Sequence, residues 1–373
     1  MAEVAGWLAL ALGAAGVVYQ LATAALVGRR LGVAMAPGRP GVTILKPLHG
    51  AEPRLLANLS TFVAQDYAGP VQIIFGVQNA GDPAIKAVEA LRAANPDADS
   101  TLVVDGTSHG SNAKVSNLIN MLGAARHDVL VLSDSDMVVE RGYLAQLIGE
   151  LGTAGGVVTC LYRGRGDAGA WSQLAAMGIS YGFLPSVVLG RALGLAEPCM
   201  GSTIAIRRDT LAAIGGLESV ADVLADDYAI GAGVRALGLR VEVSGAVLTH
   251  ACSEASFAEL ARHELRWNAT ILRLDPGGFI GFGLMNPLPF AIAALVLGAD
   301  LLSIVLLVSA LASRLLVAIR ADGHGGERAG PLWLLPIRDL LSFVLFVATF
   351  FSRSVDWRGT RLDVARDGRL RRS

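Results

Sequence analysis

Two aspartates, Asp134 and Asp136, are separated by one serine and directly follow an apolar run that ends at Ser133. Two carboxylates with this spacing at the end of a buried strand can both reach one hard cation. Mg²⁺ and Mn²⁺ prefer oxygen ligands and leave positions open for substrate phosphates, so the pair predicts a divalent metal site. Such triplets also arise by chance in solvated turns and helix N-caps. The position after a strand favours the metal.

A second acidic pair, Asp226 and Asp227, precedes a stretch of helical periodicity that continues to Ala236. The dipole of a helix stabilises acidic residues in its first turn, and this structural role alone would account for the pair. One of the carboxylates could instead act as a general base that takes a proton from an acceptor hydroxyl. Both interpretations stay open from this segment alone.

Basic and aromatic residues at two other places fit the binding of phosphate or a sugar. Lys114 follows a Gly/Ser/Asn loop without the Walker spacing, and its ammonium could meet a nucleotide diphosphate as a point charge. Further on, His263 precedes Arg266 and Trp267, whose side chains could pair with phosphate and stack on a sugar. The structural alternatives are a surface helix start at Lys114 and an amphipathic interfacial helix around Trp267.

These residues need a scaffold, and the chain between about residues 40 and 275 alternates short apolar runs with helical stretches. Strands are predicted at residues 42–45, 71–77, 101–104, 129–133, 157–161 and 203–206. Helices are predicted at residues 53–65, 83–94, 114–125 and 142–152. This alternation indicates an α/β domain with a mostly parallel sheet covered on both faces.

Ligands of such sheets bind beyond the carboxyl ends of the strands. Polar residues follow three of the predicted strands, with Asp82 after the second, Asp105 after the third and Asp134 after the fourth. The sequence therefore predicts a binding site along this edge of the sheet.

The N-terminal residues 4–27 are almost wholly apolar and long enough to cross a hydrocarbon core of about 30 Å. A signal peptide would have a basic start and a shorter core, whereas this segment begins with an acidic residue. Arg29, Arg30 and Arg39 follow it, so the positive-inside rule places the next domain in the cytoplasm. We predict a transmembrane anchor at residues 1–30.

The C-terminal block, residues 280–352, is apolar again. It holds three apolar segments, at residues 280–299, 301–318 and 332–351. Arg338 and Asp339 lie within the third, where charges are costly unless buried or at the surface. The basic tail, residues 353–373, should stay cytoplasmic, which requires an even number of crossings. We therefore assign the third segment to the interface, and the number of spans, two or three, stays open.

The composition is consistent with this arrangement, since 53% of residues are hydrophobic and 17% are charged, against about 25% charged in typical globular domains. A net charge of −1 gives no reason to expect a nucleic-acid partner. Cys160, Cys199 and Cys252 form no C-x-x-C motif, which favours free thiols in a reduced compartment. No feature specifies an oligomeric state.

Taken together, these residues resemble the ceramide glucosyltransferase family, glycosyltransferase family 21, a branch of the inverting GT-A enzymes. The resemblance covers nearly the whole chain. Its motifs occur in order at residues 45–50, 77–78, 82–85, 114, 117–118, 134–135, 225–228, 266–267 and 357–359. Residues 161–164 and 198–203 also fit the bacterial side of this family, which includes enzymes associated with hopanoid glycosylation.

The resemblance implies a GT-A fold with a role for each motif. Asp82 and Asp134 would bind a UDP-sugar, with the metal at Asp134, and Asp227 would be the catalytic base. The pair Arg266 and Trp267 would contact the nucleotide or the product.

Two departures from the family pattern matter. His263 stands where the family has Gln or Arg, so its role is less defined. Asp136 completes a D-x-D that the animal enzymes lack, which makes Asp134 the firmer metal ligand.

The implied activity is inverting transfer of glucose from UDP-glucose to the primary hydroxyl of ceramide, giving glucosylceramide. It would take place at the inner membrane of a bacterium, with the catalytic domain in the cytoplasm. UDP-N-acetylglucosamine-dependent glycosylation of a hopanoid is the alternative within enzymes. A non-catalytic membrane binding module is the alternative from another class.

Overall fold

The protein is described by a computed structural model. The described residues are 1–28, 31–36, 38–298, 300–325, 328–351, 355–357, 360–364 and 370–372. The predicted roles of Arg29 and Arg30, and of the 358–359 part of the last family motif, therefore lie outside the described residues.

Eight strands form one mixed sheet in the order β3-β2-β1-β4-β7-β6-β8-β5. Their bounds are β1 Val42–Pro47, β2 Val71–Val77, β3 Ser100–Val104, β4 Val129–Leu132, β5 Met137–Val138, β6 Val157–Gly166, β7 Ile204–Arg207 and β8 Val241–Cys252. Three short strands in the tail pair as a separate antiparallel sheet, namely β9 Val355–Trp357, β10 Thr360–Val364 and β11 Leu370–Arg372.

Fourteen α-helices accompany the strands within the described residues. They are α1 Ala2–Leu26, α2 Leu55–Val63, α3 Ala84–Ala94, α4 Ala113–Leu122, α5 Tyr143–Ala154, α6 Ala170–Gly178, α7 Leu184–Ala192, α8 Arg208–Ala213, α9 Asp226–Ala236, α10 Phe257–Leu274, α11 Pro276–Gly283, α12 Pro287–Gly298, α13 Leu301–Gly325 and α14 Leu335–Thr349. A π-helical turn, Ile179–Phe183, joins α6 to α7, and short 3₁₀ turns lie at Leu217–Val220 and Leu332–Leu334.

The sheet is mostly parallel, as predicted, but two strands reverse. Strands β3, β2, β1 and β4 are parallel neighbours, whereas β7 is antiparallel to both β4 and β6. Strand β8 runs parallel to β6, and the two-residue β5 is antiparallel to β8. The six predicted strands are all present, whereas β5 and β8 have no predicted counterpart.

Helices cover both faces of the sheet because the central strands alternate their side chains between two apolar layers. Ile44 and Val131 point to the layer formed with α2, α3 and α5. Leu45 and Leu130 point to the opposite layer, formed with α4, α8 and α9. Because both faces of the sheet are buried, polar side chains are accommodated where the strands end. The candidate site lies at the carboxyl ends of the strands.

Four helical segments are long and apolar enough to cross a membrane: Ala2–Leu26, Ala170–Ala192, Leu301–Gly323 and Leu332–Thr349. Helices α11 and α12 are bent by 54° at a short break and could form a fifth, broken span. Two of these correspond to predicted segments at the C-terminus and one to the predicted anchor. The segment Ala170–Ala192 was not predicted as a span, and most of its apolar stretch is buried inside the protein.

The first helix packs against the last part of the chain along a stripe of small residues. Gly13 faces Leu306 on α13, and Gly16 approaches Pro287 at the start of α12 so closely that a Cβ there would lie 2.8 Å away. The buried side chain of Gln20 donates to the carbonyl of Met285. Small residues of this kind allow close helix approach, and a polar side chain between helices supplies hydrogen bonds.

Arg338 and Asp339 on α14 are both buried and paired within the protein. Asp339 accepts from Arg314 Nε of α13 at 2.8 Å, and Arg338 Nη2 lies 2.7 Å from Glu264 of α10. This removes the physical reason for assigning residues 332–351 to the interface, because neither charge faces lipid. The number of spans stays a prediction.

Candidate active site

The D-x-D pair leaves β4 at the carboxyl edge of the sheet, as predicted. Beneath it, the fully buried side chain of Lys46 extends from β1 and donates to Ser133 Oγ at 3.4 Å and to the backbone carbonyl of Asp134. The Lys46 ammonium also lies 3.7 Å from the centre of the Phe62 ring. Burial lowers the pKa of Lys46 to about 7, against the opposing effect of the nearby carboxylates. Lys46 thus fixes the backbone from which Asp134 projects.

Lys114 lies at the start of α4 and reaches the same edge. Asn112 caps this helix by accepting from the backbone N–H of Val115 at 3.1 Å. The Lys114 ammonium lies 2.7 Å from Asp134 Oδ1 and 3.6 Å from Asp226 Oδ2. Burial disfavours its charge, but the surrounding carboxylates outweigh that effect and hold the pKa of Lys114 above its ordinary value.

The two carboxylates at the start of α9 point to different partners. Asp226 is buried and accepts from Asn112 Nδ2 at 3.2 Å, so it ties α9 to α4. Asp227 accepts from the backbone N–H of Gly201 at 2.8 Å. Burial, followed by the charge of Asp226, raises the pKa of Asp227 to about 6. A carboxyl group with this pKa is suited to accept a proton near neutral pH.

Three of the predicted site residues converge on Gly201. A Cβ placed on Gly201 would lie 2.9 Å from Lys114 Nζ, 3.3 Å from Asp227 Oδ2 and 3.4 Å from Asp134 Oδ2. These groups come from α4, α9 and the loop after β4, which the topology brings to one edge. Only a residue without a side chain leaves room between them.

Asp136 turns away from this point towards β8. Its Oδ2 lies 3.0 Å from His250 Nε2, and the imidazolium charge of His250 keeps the pKa of Asp136 near 2 in spite of burial. Its other oxygen, Oδ1, is buried and has no hydrogen-bond partner in the described part of the chain. A buried oxygen of this kind is a candidate ligand atom for a cation.

Asp134 and Asp136 supply oxygen ligands of the kind that Mg²⁺ and Mn²⁺ prefer, and the orphan Oδ1 of Asp136 fits such a role. His250 is occupied by its contact with Asp136 Oδ2, so it orients that carboxylate rather than binding the cation. Among the described residues no three His, Cys, Asp or Glu side chains are already gathered in metal-binding geometry. In this arrangement Asp134 instead faces the ammonium of Lys114.

An aromatic cluster connects His250 to the helices beside it. His263 and Trp267 on α10 meet edge to face with ring centres 4.5 Å apart, and His250 lies 6.2 Å from Trp267. Phe183, in the π-helical turn, lies 6.3 Å from Trp267. His263 Nδ1 also contacts Glu254 Oε1 at 2.5 Å. Arg266 precedes Trp267 on the same helix and is half-buried.

Asp82 lies after β2, at the far side of this edge, and its carboxylate is held by backbone groups. It accepts from Gly50 N at 3.0 Å and from Ala84 N at 2.9 Å, and it lies 3.6 Å from His49 Nδ1. Asp82 therefore links the loop after β1 to the start of α3. The structure does not bring it into contact with Lys114, Asp134 or Asp227.

The glycosyl transferase family 21 model matches residues 7–370. The chain belongs to glycosyl transferase family 21. The family prediction made from the motifs is thereby confirmed, and a family 21 chain is a sugar-transferring enzyme.

Curated relatives carry a more specific name at low identity. Ceramide glucosyltransferase 1 of Caenorhabditis elegans is 25% identical over 214 residues, which cover 56% of this chain and 45% of that protein. Ceramide glucosyltransferase 3 of the same species is 22% identical over 355 residues, covering 89% of this chain and 74% of that protein. The match to the first of these thus spans about half of its length.

The fold of this family 21 chain also matches a solved enzyme. Mannosyltransferase PcManGT from Pyrobaculum calidifontis, solved in complex with GDP-Man and Mn²⁺, superposes with a TM-score of 0.55 at 21% identity. The match covers 92% of this chain and 99% of that chain. The predicted GT-A nucleotide-sugar transferase fold is confirmed.

Three residues of this site had no role of their own in the sequence analysis: His250, Gly201, and Lys46, which lay within the family motif at residues 45–50. His250 was missed because β8 was missed: Gly245 interrupts the alternation of Val241 and Val243, and the pairing with β6 shifts register between Thr159 and Leu161. The apolar run that resumes at residue 247 was the available signal. Gly201 was part of a family motif, but only the packing around it shows why a glycine is needed there.

Proposed function

We propose that this enzyme transfers glucose from UDP-glucose to the primary hydroxyl of ceramide, with inversion at the anomeric carbon. The observation that carries the proposal is the convergence of Lys114, Asp134 and Asp227 on Gly201. It places a cation, a potential metal ligand and a potential base around one small space. The names of the curated relatives favour ceramide and glucose.

Asp227 is the proposed base, and Asp226 is not. The Asp227 carboxylate, whose pKa is raised to about 6 by burial and by Asp226, is ionised at neutral pH yet basic enough to accept the hydroxyl proton. Asp226 is engaged with Asn112 and Lys114, so its role is to position α9 and to raise the basicity of its neighbour.

Lys114 and the D-x-D pair are the proposed binding groups for the donor diphosphate. Asp134 and Asp136 would hold a divalent cation, Mg²⁺ or Mn²⁺, and His250 would orient the Asp136 carboxylate. A cation bound there supplies charge neutralisation of the departing diphosphate. Lys114, now facing Asp134 at 2.7 Å, would contribute a second positive charge on the same side.

Asp82, Arg266 and Trp267 remain donor or product contacts in this proposal, on the strength of the family resemblance. Trp267 has a further argument in its favour, because its ring packs within the cluster that includes His250. An indole at this place could cover a sugar or guide the lipid, and His263 would orient it through their edge-to-face contact at 4.5 Å.

A lipid acceptor requires the site to lie at a membrane surface. We propose that the apolar helices anchor the protein in a membrane and that the catalytic domain faces the cytoplasm. The packing of α10 against α14 sets the candidate active site directly beside the C-terminal apolar helices.

One assay tests the proposal. The purified full-length protein in detergent is incubated with UDP-glucose or UDP-N-acetylglucosamine, each combined with ceramide or a hopanoid polyol. The products are identified by mass spectrometry. A glucosylceramide product that disappears in Asp227→Asn supports the proposal. Absence of UDP release with every pair, from protein that is folded, would instead favour a non-catalytic membrane binding module.

A further inference from the structure

A small cavity lies between the Ala170–Ala192 segment and the C-terminal apolar helices. Its volume is about 30 Å³, more than the roughly 10–15 Å³ that one ordered water needs. Its lining includes Gly178, Gly182, Asn286, Arg314, Arg338 and Ser342. Ionisable groups in segments apolar enough to span a membrane are costly and mark functional sites.

Arg338 brings unused hydrogen-bond donors to this cavity. Its Nη2 is paired with Glu264 at 2.7 Å, and its side chain is only 6% exposed. Its Nε and Nη1 are buried without a hydrogen-bond partner in the part of the chain that the structure describes. Buried donors are normally satisfied, so these two N–H groups call for an acceptor that enters the cavity.

The charge balance selects the kind of acceptor. Arg314 is paired with Asp339 and Arg338 with Glu264, so the charged groups around the cavity are formally neutral. A phosphate or carboxylate would leave a net negative charge in a low-dielectric interior, which is unfavourable. A neutral carbonyl or hydroxyl oxygen satisfies the Arg338 donors without adding charge.

The cavity lies behind the aromatic cluster of the candidate active site. Phe183, adjacent in sequence to Gly182, packs on Tyr162 with ring centres 5.0 Å apart. The centre of the Tyr162 ring lies 5.8 Å from that of His250, whose Nε2 is 3.0 Å from Asp136 Oδ2, so this ring lies close to the candidate metal ligands. On α10, Glu264 pairs with Arg338, which lines the cavity, and the preceding residue, His263, belongs to the aromatic cluster.

We propose that this cavity binds the neutral hydrogen-bond-accepting group of the lipid acceptor, with Arg338 Nε and Nη1 as the donors. The inference rests on the proposed function in one respect, namely that the acceptor is a lipid. The amide carbonyl of a ceramide and a hydroxyl of a polyol lipid share this chemistry, and the ligands below separate them.

Two glycines give the cavity its shape. A Cβ on Gly178 would lie 2.1 Å from Arg338 Nη2, so this glycine lets the guanidinium approach. A Cβ on Gly182 would meet no atom within 4 Å, so a larger side chain can enter the cavity without a backbone clash. Gly281, on α11, also has no atom within 4 Å of such a Cβ and does not line the cavity, which makes it a matched control.

The first experiment measures lipid binding by native mass spectrometry of the full-length protein in detergent. The ligands form two pairs whose members differ in the tested oxygen. The first is ceramide and an analogue that keeps both hydroxyls but has an alkyl chain in place of the amide; the second is a hopanoid polyol and its deoxygenated analogue. The oxygen-bearing member of each pair is the one with the amide carbonyl or the polyol hydroxyls. Gly182→Leu should weaken binding of the oxygen-bearing member of one pair at least about tenfold, the equivalent of one hydrogen bond to a charged group. Gly281→Leu should bind like the wild type.

The second experiment tests whether Arg338 donates the hydrogen bonds that distinguish the oxygen-bearing lipid from its partner. Arg338→Gln is combined with Glu264→Gln, so that no buried charge is left unpaired. The wild type should prefer the oxygen-bearing lipid about tenfold, and the paired variant should lose that preference while its affinity for UDP-glucose stays within twofold.

The outcomes separate the two proposals. Equal lipid binding by Gly182→Leu and Gly281→Leu, or an unchanged preference in the paired variant, overturns the inference. The expected binding pattern in a protein that transfers sugar to none of these lipids would retain the cavity as a lipid site and refute the proposed function.

Discussion

Replacing Gly201 by alanine tests the point on which the three functional side chains converge. The backbone of Gly201 is outside the left-handed region, so alanine introduces no strain of its own. The added methyl group would lie 2.9 Å from Lys114 Nζ, the end of a flexible side chain, and at tighter than ordinary distance from Asp227 Oδ2. The fold should therefore persist while the catalytic groups move.

The size of the effect follows from that displacement. The Lys114 ammonium must retreat by about 0.5 Å to reach an ordinary van der Waals distance of 3.4 Å. That movement strains its 2.7 Å contact with Asp134. Since a misplacement of about 1 Å costs roughly 10²-fold in rate, half of it corresponds to about tenfold. We expect kcat/KM for the nucleotide sugar to fall by about this factor.

The assay is UDP release at saturating lipid, with thermal unfolding in detergent to verify the fold. Gly142→Ala is the matched control, because a Cβ there meets no atom within 4 Å. If Gly201→Ala keeps kcat/KM within twofold of this control, the convergence on Gly201 is not the catalytic centre.

Other substitutions and conditions test separate parts of the site. Asp227→Asn should lower kcat by about 10²-fold or more while calorimetry shows unchanged UDP affinity, since only the base is lost; loss of UDP binding would contradict that role. Because the ionised form of Asp227 is the active one and its pKa is about 6, kcat/KM should fall as the pH drops through 6 and level off above it; a profile flat to pH 5 would exclude it. Asp134→Asn should abolish transfer and Mn²⁺-dependent UDP binding more completely than Asp136→Asn, and equal losses would contradict this order. Asp339→Asn should destabilise the protein by about 3–5 kcal/mol in denaturant titrations, because Arg314 stays buried without its carboxylate; an unchanged midpoint would show that the pair contributes little.

Much of the sheet and of the site could be predicted from local sequence. Val129–Leu132 is a short, continuous apolar run, and such runs specify buried strands regardless of their partners. Asp227 lies in the first turn of a helix, and only the family resemblance singled it out as the base. Asp134 follows a predicted strand, where the rule for ligand sites in open sheets applies directly. Lys114 was found for the same reason, through the loop that leads into α4.

The remaining features depend on tertiary contacts that no local pattern encodes. The partner of Asp136 is His250, 114 residues away, and the strand that carries it is interrupted by Gly245. Strand β7 runs antiparallel to β4 and β6, and nothing in its own four residues specifies that direction. From the sequence alone, the charges of Arg338 and Asp339 would be unfavourable within a membrane span. Only the positions of Glu264 and Arg314 show that both charges are paired.

The contact between α1 and the C-terminal helices has a consequence for biosynthesis. Gln20 is hydrogen-bonded to Met285 and accepts from Ser313, 293 residues further along the chain. At translation rates of about 5–20 residues per second, roughly 15–60 s separate the emergence of Gln20 from that of Ser313. If α1 enters the bilayer before the C-terminal helices are made, the Gln20 amide has neither of these partners until the catalytic domain has been synthesised. The membrane part can then assemble only around an enzyme domain that has had time to fold, and a chain truncated before Met285 would expose a polar helix face to lipid.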